Sequence, residues 1–374
     1  MTHLPIDPAP DPRLDEYDFY LPPEQIAQSA VEPRDSSRLL VIHRTGDGNV
    51  PLEQRTFRDL PDYLRPGDCL VLNETRVIPA RLHGQKADTG GAVELLLLRR
   101  LDATRWRAMV GGKRLTVGVR LTIRGAPLTA TITEVGEDAL RVVAFSEPLE
   151  PYLSAIGEAP LPPYIRTPIL NPERYQTVFA RESGSAAAPT AGLHFTPELL
   201  ARIEASGVGI VRCLLHVGLG TFLPVTEEQI SARRLHQEYA ELSPTAAAQI
   251  NATRRAGGRV VAVGTTTTRT LESAALRAIG MTDTSGAVVY NAAAKAAPEG
   301  ETVIPFQGET ALFIVPGFRF RAVDALVTNF HLPKSSLLML VSAFAGRETI
   351  RHAYETAIRE GYRFYSLGDA CLIL

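Results

Sequence analysis

Residues 77–145 constrain the fold more than any other part of the chain. They contain six short runs rich in apolar and β-branched residues, namely VIPARLHG, AVELLLLRR, RWRAMV, VRLTIRG, LTATITEV and LRVVAFS. Turn-forming stretches such as DTGG, DATR and GGK separate these runs. Regularly spaced strands with turn signals and no helical period predict a small antiparallel β-barrel, which we place at residues 77–147.

Helix and strand patterns alternate after this segment, and strand-like runs precede it at residues 39–43 and 69–72. Thr196-Pro197 is a good helix start and Gly207 a good stop. Further strands are predicted at GIVRCLLHV, RVVAVG, ALFIVPG, DALVTNF, YRFYS and CLIL, and further helices at SPTAAAQINATRRAGG, TTTTRTLESAALRAIG and residues 335–345 and 347–360. The predicted fold class is therefore α/β, with the small antiparallel barrel inserted into a large mixed α/β domain.

The length of the chain also favours two domains, because 374 residues exceed one typical hydrophobic core. We predict that residues 1–76 and 148–374 form a discontinuous α/β catalytic domain around the barrel. Residues 1–16 are rich in Pro and Asp, and we expect them to be disordered.

Composition and short motifs exclude several classes of protein. The longest apolar run, SLLMLVSAFAG, is shorter than the roughly 20 residues needed to cross a membrane, and the N-terminus lacks the features of a secretory signal. We therefore predict a cytoplasmic protein. Cys69, Cys213 and Cys371 are isolated and match no zinc-ligand spacing, so neither a disulfide nor a metal site is expected.

The stretch RVVAVGTTTTRTLES predicts a strand, a Thr-rich turn and a helix. Open α/β sheets bind ligands where a strand ends and a helix begins, because unpaired N–H groups point outward there. Thr265, Thr266 and Thr267 add hydroxyl groups and Arg269 adds a cation, so this turn is a candidate anion site. An ordinary threonine N-cap would also explain the pattern.

The stretch LLHVGLGTFLPV places Gly218 and Gly220 directly after a strand. Leu223 stands where the third glycine of a dinucleotide-binding GxGxxG motif would be, so that motif is excluded. We expect the glycines to let the backbone approach a ligand.

Three histidines follow predicted strands or precede predicted helices in the same α/β region. His194 lies in PTAGLHF, His216 ends GIVRCLLHV, and His331 lies in TNFHLPKSS beside Asn329. Any one of them would more often be a structural hydrogen-bond partner than a catalyst. Their clustering at such junctions nevertheless predicts that at least one faces a site.

Two further stretches supply polar candidates. Asp369 lies in the Gly-containing turn SLGDA, although turn formation alone would explain it. NETRVIPARL places Asn73 and Arg76 at the junction with the predicted barrel, and domain junctions favour clefts.

The Pro-rich stretch at residues 148–192 is predicted to be a long functional loop or linker. It interleaves aromatic and cationic side chains, including Tyr164, Arg166, Arg174 and Tyr175. This mixture suits stacked bases and phosphates, although such residues also anchor ordinary loops.

Taken together, these stretches resemble one family, the S-adenosylmethionine:tRNA ribosyltransferase-isomerases of queuosine biosynthesis. The similarity covers nearly the whole chain and is carried by DFYLPPEQIAQ, RDSSRLLVI, GDCLVLNETRVIPARLHG, RYQTVFA, GSAAAPTAGLHFTPELL, LLHVGLGTFLPV, GGRVVAVGTTTTRTLES, DALVTNFHLPKSSLLMLVSAFAG and YRFYSLGDACL. The family's usual Asp is Glu74 in this chain, and the first histidine of its His-x-Met-His-Ser-Glu pattern is Arg233. His236 and Glu238 keep their matches.

The resemblance implies an α/β domain that carries a small β-barrel, and an unusual reaction. Such enzymes transfer the ribosyl part of S-adenosylmethionine to the aminomethyl group of 7-aminomethyl-7-deazaguanine at the tRNA wobble position. The sugar is isomerised, which gives epoxyqueuosine and releases adenine and methionine. S-adenosylmethionine is consumed as a substrate, so no cofactor and no metal are expected; the expected partner is tRNA, and the expected state is a monomer.

This reaction needs a base beside the sulfonium and an acid at the departing adenine. The catalytic candidates are His194 first, then His216, His331 and Asp369, with no division of roles among them. The substrate-binding candidates are Thr190, Gly192, Gly218, Thr265, Thr266, Thr267, Arg269, Asn329, Asn73 and Arg76. The tRNA-binding candidates are Tyr164, Arg166, Arg174 and Tyr175.

Two alternatives remain open from the residues alone. One is another S-adenosylmethionine-dependent tRNA-modifying enzyme, such as a methyltransferase, which the missing glycine-rich fingerprint disfavours. The other is a noncatalytic RNA-binding protein that uses the barrel as its binding face, which the net charge of −2 disfavours.

Overall fold

The computed structural model describes residues 13–44, 51–136, 139–158, 160–167, 171–218, 225–289 and 295–374. Most of the segment expected to be disordered (residues 1–12) lies outside the described residues, as do Gly220 and Leu223. The expectation of disorder is wrong at its end, because Leu14–Tyr17 form a short 3-10 helix. Tyr17 is buried in the main core and Leu14 packs against that core, which fixes the segment.

The structure contains the following strands. They are β1 (Arg38–Ile42), β2 (Leu52–Thr56), β3 (Cys69–Asn73), β4 (Thr75–Val77), β5 (Arg81–Lys86), β6 (Ala92–Arg100), β7 (Arg105–Gly111), β8 (Arg120–Ile123), β9 (Thr129–Val135), β10 (Leu140–Phe145), β11 (Glu182–Ser185), β12 (Gly209–Leu215), β13 (Arg234–Leu242), β14 (Val260–Val263), β15 (Phe306–Leu312), β16 (Ala325–Asn329) and β17 (Ala370–Ile373).

The α-helices are α1 (Glu150–Ile156), α2 (Pro197–Ala205), α3 (Glu227–Ala232), α4 (Pro244–Arg255), α5 (Thr265–Ala278), α6 (Ser336–Ala345) and α7 (Arg347–Arg359). Further 3-10 helices span Pro23–Gln25, Arg34–Ser36, Phe57–Tyr63, Pro172–Tyr175 and Thr190–His194. Within the described ranges, none of the helices combines the length and the apolar character that a membrane crossing requires.

The main sheet has nine strands in the order β15-β13-β12-β3-β14-β16-β17-β1-β2. Its centre, β12-β3-β14-β16, is parallel, whereas β17 runs antiparallel to β16 and parallel to β1. Because successive side chains of a strand point to opposite faces, alternate residues of β3 enter two different cores. Cys69 and Val71 join the core that α4, α5, α6 and α7 cover, while Leu70 and Leu72 join the one that α2 covers.

Strands β5 to β10 close into a separate antiparallel barrel in the order β10-β7-β6-β5-β8-β9. The barrel has its own core, in which Leu82, Leu95 and Ile132 are fully buried. All six predicted runs form strands, and the predicted fold class, a mixed α/β domain with an inserted small antiparallel barrel, is confirmed.

Several predicted elements differ from the structure. The strand predicted at ALFIVPG lies mostly earlier, at β15, and residues 313–315 are apolar because they are buried in the core, not because they pair. YRFYS forms no strand, and only Phe364 makes an isolated bridge, to Ile26. The sequence patterns missed α3 and the strongly polar β13, which pairs with β12 and β15. The Pro-rich stretch contains α1 and β11, and β11 pairs with β4.

Candidate active site

The functional candidates meet at one edge of the main sheet. The parallel strands β3, β12, β14 and β16 end at this edge, while β17 and β1 begin there. Asn73, Asn329 and Asp369 therefore reach the same edge from separate parts of the chain. This arrangement follows the rule that open α/β sheets bind ligands beyond the carboxyl ends of their strands.

A cleft opens at this edge between β14, β16 and the segment that precedes α2. It is lined by Tyr164, Tyr175, Ala187, Ala188, Pro189, Thr190, Ala191, Val217, Gly264, Thr265, Thr266, Thr328, Asn329, Phe330, His331, Leu332, Ser335, Leu337, Tyr365 and Ser366. Seven of the predicted site residues are thus brought together here. No Asp, Glu, Lys or Arg belongs to this lining, within the part of the chain that the structure describes.

Asn329 organises the polar side of the cleft. Its amide nitrogen donates to the carbonyl oxygens of Tyr365 (3.2 Å) and Asp369 (3.4 Å), and its oxygen accepts from the Thr190 hydroxyl (3.2 Å). Because carbonyl oxygens only accept hydrogen bonds, the side-chain atom that faces these two carbonyls is the amide nitrogen of Asn329 and not its oxygen. Asn329 therefore ties β16 to the turn that precedes β17 and to the Thr190–His194 segment.

His194, the first catalytic candidate, is held by hydrogen bonds at both ring nitrogens, and its catalytic role stays a prediction. The Asn329 amide donates to Nε2 (3.1 Å), so Nδ1 carries the proton and donates to the Ser37 hydroxyl (2.7 Å). The ring stacks on Phe57 at 4.9 Å between centroids, and it does not line the cleft. Burial, helped by the nearby Arg174, Arg34 and Arg363 charges, lowers the pKa of His194 to about 3.

His331 lines the cleft and keeps one ring nitrogen available. Nε2 lies 2.8 Å from the Thr328 hydroxyl, whereas Nδ1 has no hydrogen-bond partner among the described residues. The Tyr354 hydroxyl accepts a hydrogen bond from the His331 backbone amide (2.9 Å), which fixes the residue at the end of β16. Burial lowers the pKa of His331 to about 3, so the imidazole is neutral at pH 7 and is able to accept a proton.

His216 lies beside the cleft but outside its lining. Nδ1 lies 2.7 Å from the Thr75 hydroxyl, and the ring stacks on Tyr239 at 5.7 Å between centroids. A Cβ atom at Gly184 would lie 2.6 Å from Nε2, so only glycine permits the chain to pass this close. Burial lowers the pKa of His216 to about 4.

Asp369 and Asn73 hold the backbone at the sheet edge. Both carboxylate oxygens of Asp369 accept backbone N–H groups, from Arg38 (2.9 Å) and Arg363 (2.8 Å). Burial raises the pKa of Asp369, although these two donors oppose the shift. Asn73 bonds the backbone of Leu215 through both its oxygen and its nitrogen (3.0 Å each). Asp369 is not part of the cleft lining, and its catalytic role stays a prediction.

Four predicted substrate contacts also turn inward. Thr267 donates to the carbonyl of Val263 (2.7 Å), the last residue of β14, and Arg269 pairs with Glu238. The Gly218 amide donates to Glu238 (2.9 Å). A Cβ atom at Gly192 would lie 2.7 Å from the Phe179 ring, so this glycine serves close packing. None of the four residues lines the cleft described above, and their role as substrate contacts stays a prediction.

The tRNA-binding candidates are dispersed. Arg166 is exposed, and Tyr164 lines the cleft, where its hydroxyl contacts Ser366 (2.6 Å). Arg174 is half-buried and pairs with Glu32, and Tyr175 is buried, while their role in binding tRNA stays a prediction. Arg76, predicted as a substrate contact, pairs with Glu173 outside the cleft lining.

The sequence patterns missed five residues that line the cleft with polar side chains or aromatic rings: Thr328, Phe330, Ser335, Tyr365 and Ser366. Tyr365 and Ser366 belong to YRFYS, which the apolar alternation wrongly assigned to a strand. Thr328 and Ser335 flank the predicted candidates Asn329 and His331, and their closeness to those residues was the available signal.

The buried histidines predict acid sensitivity. In the unfolded chain His194 and His331 would titrate near pH 6.5, whereas in the folded chain their pKa values are lowered to about 3. The unfolded state therefore binds more protons below pH 6.5, and stability falls as the pH drops from 6.5 towards 3. We expect each histidine to contribute about 2.7 kcal/mol of this loss by pH 4.5, at roughly 1.4 kcal/mol per pH unit over two pH units.

Urea unfolding at pH 7.5, 6.0 and 4.5 measures this effect. His194→Gln should lower stability at pH 7.5 but should lose less than the wild type on acidification. His352→Gln, at an exposed position, is the control and should follow the wild-type curve. A wild-type pH dependence that His194→Gln leaves unchanged would contradict the prediction.

The whole chain can be compared with known proteins. A family profile described as "Queuosine biosynthesis protein" matches residues 14–373. The chain belongs to this family. This queuosine biosynthesis protein is 53% identical over 365 residues to the S-adenosylmethionine:tRNA ribosyltransferase-isomerase of Symbiobacterium thermophilum, with 97% of this chain and 100% of the relative covered. It is also 53% identical over 366 residues to the enzyme of the same name from Moorella thermoacetica, with the same coverage.

A solved structure is similar as well. The crystal structure of S-adenosylmethionine tRNA ribosyltransferase from Thermotoga maritima is 38% identical to this queuosine biosynthesis protein, with a TM-score of 0.52. The match covers 96% of this chain and 100% of that one. Family and fold therefore agree with the resemblance that the motifs indicate.

Proposed function

We propose that this protein is an S-adenosylmethionine:tRNA ribosyltransferase-isomerase. The observation that carries the proposal is the 53% identity to a relative of that name along that relative's whole length. Its substrates are S-adenosylmethionine, which is consumed and is not a cofactor, and tRNA with 7-aminomethyl-7-deazaguanine at the wobble position. The protein acts as a monomer.

The chemistry of the cleft supports this proposal. S-adenosylmethionine carries a sulfonium cation, and the faces of aromatic rings attract cations. Tyr164, Tyr175, Phe330 and Tyr365 line the cleft, which holds no carboxylate among the described residues. A site of this kind binds a cation without fixing it in an ion pair, which leaves the sulfur free to depart.

His331 is our candidate for the proton acceptor in this reaction. A base must remove a proton from the ribosyl carbon beside the sulfur, and the amine of the modified base then forms a bond to the ribosyl group. The carbon–sulfur bond breaks, and methionine leaves with that electron pair as a neutral thioether. The glycosidic bond also breaks, and adenine leaves after taking up a proton. Neutral His331, which lines the cleft and uses Nε2 to contact Thr328, fits the first of these steps.

The products distinguish this reaction from methyl transfer. We expect adenine and methionine in equal amounts from the purified protein, S-adenosylmethionine and tRNA bearing 7-aminomethyl-7-deazaguanine. Label in the ribose should enter the tRNA, whereas label in the methyl group should leave with methionine. S-adenosylhomocysteine as the main product, or methyl label in the tRNA, would instead indicate a methyltransferase. Stable tRNA binding without any product would indicate a noncatalytic RNA-binding protein.

A further inference from the structure

The N-terminus of α5 is buried without a cap. The N-cap residues directly before helices α2, α4 and α6 are Thr196, Ser243 and Ser335. Each of their side chains accepts a hydrogen bond from a backbone N–H group of the first helical turn. At α5 the same position is Gly264, with φ 90° and no side chain to do so.

The first amides of α5 consequently remain without acceptors. The backbone amides of three residues, Thr265, Thr266 and Thr267, donate to no acceptor among the described residues, whether backbone or side chain. Thr265 is 7% exposed and Thr267 is fully buried, whereas Thr266 is half-buried and lines the cleft with Thr265. Burying such groups unpaired is costly, and buried helix ends normally have a partner.

A second group in the same cleft lacks a partner. Tyr175 is 1% exposed, and its hydroxyl makes no hydrogen bond of normal length and angle among the described residues, although Ser366 and the Ala188 backbone lie near it. Tyr175 lines the cleft together with Gly264, Thr265 and Thr266. The first turn of α5 and Tyr175 therefore bring hydrogen-bond donors to the lining of one cleft, which contains no acidic side chain among the described residues.

We propose that the N-terminus of α5 and the Tyr175 hydroxyl form the seat for the carboxylate of S-adenosylmethionine. Donors at a helix N-terminus favour an anion, because the helix dipole adds to their hydrogen bonds. The carboxylate is the anionic group of this substrate, and no basic side chain of the lining competes for it. An RNA phosphate is the other anion in the reaction, but the nearly complete burial of Thr265 and Tyr175 favours a small ligand group.

This inference rests on the proposed function and gives it an orientation. With the carboxylate at α5, the rest of the substrate extends along the aromatic side of the cleft towards Phe330 and His331. The site thereby selects the amino-acid end of the substrate without using an arginine or a lysine. Arg269, the cation that the sequence pattern offered for this role, is held by Glu238 instead.

Binding of a decarboxylated analogue tests the seat directly. We expect the full-length wild-type protein to bind S-adenosylmethionine about tenfold or more tightly than decarboxylated S-adenosylmethionine, as measured by calorimetry. Tyr175→Phe should reduce this ratio severalfold without loss of thermal stability, because the hydroxyl that it removes is buried and unpaired. Tyr362→Phe is the matched control, since its hydroxyl is also buried and unpartnered among the described residues but lies outside the cleft lining.

A second variant addresses the helix end. Thr265→Asp places a carboxylate at the first position of α5, where it should occupy the seat and abolish the preference for S-adenosylmethionine. The thermal midpoint should stay the same or rise, because an acidic side chain stabilises the first turn of a helix. This combination separates loss of the ligand site from loss of the fold.

Several outcomes would overturn the seat. The first is equal affinity of the wild type for S-adenosylmethionine and its decarboxylated analogue. The second is an affinity ratio for these two ligands that stays unchanged in both Tyr175→Phe and Thr265→Asp. The third is a Tyr175→Phe variant that loses affinity only for tRNA. An intact preference for S-adenosylmethionine in a protein that releases no adenine or methionine would support the seat and reject the proposed function. Failure to bind S-adenosylmethionine at all would reject both.

Discussion

Asn329→Asp is expected to lower the free energy of unfolding at pH 8 by about 3 kcal/mol or more. The two amide hydrogens of Asn329 are shared among three acceptors, namely two carbonyl oxygens and Nε2 of His194. A carboxylate oxygen in its place would face three acceptors and would leave the two carbonyls unpaired. Because each unpaired buried group costs about 1–3 kcal/mol, the losses at this one position are large together.

Urea unfolding of Asn329→Asp and Asn251→Asp gives the comparison. Asn251 is buried to the same degree, but its amide nitrogen donates to one carbonyl, that of Val303 (2.9 Å). The same substitution there should therefore cost clearly less. If the two variants lost equal stability, Asn329 would not be the connection between β16, His194 and the turn before β17 that the geometry describes.

The sequence predicts where the candidate site lies better than it predicts what each residue does. Strand ends can be read from apolar runs, and chain topology then brings the ends of β3, β14 and β16 to one edge. The position of Asn329, Thr265 and His331 in one cleft follows from this rule. The barrel was predicted for a similar reason, since each of its strands has its own turn signals.

The roles of individual side chains depend on partners that are distant in the sequence. The tautomer of His194 is set by Ser37 and Asn329, which lie 157 and 135 residues away. Arg269 is neutralised by Glu238 on β13, a strand too polar for the apolar pattern to detect. Tyr175 is buried by the folding of the Pro-rich segment, whose composition equally suited an exposed loop.

The two histidines on either side of Asn329 should respond differently to the same substitution. His331→Gln removes the basic Nδ1 of the imidazole. The amide group of the glutamine side chain can still reach the Thr328 hydroxyl, which Nε2 of His331 contacts in the wild type. If His331 accepts the proton from the ribosyl carbon, kcat for adenine release should fall by about 10²–10⁴-fold. The KM for S-adenosylmethionine and the thermal midpoint should change little, because a transition-state interaction is the one removed.

His194→Gln is the control, and its expected result is the reverse of that for His331→Gln. Both ring nitrogens of His194 are used by Ser37 and Asn329, so this change should lower the thermal midpoint while each folded molecule keeps nearly wild-type kcat. Single-turnover adenine release, normalised to the folded fraction at each temperature, compares the two variants. The wild-type rate should also show no loss between pH 8 and pH 5 from protonation of His331, because burial lowers its pKa to about 3. The prediction would be wrong if His331→Gln kept normal turnover while His194→Gln showed a large fall in kcat per folded molecule. His194 would then be the proton acceptor. The hydrogen bonds that hold its ring would have to break during the reaction.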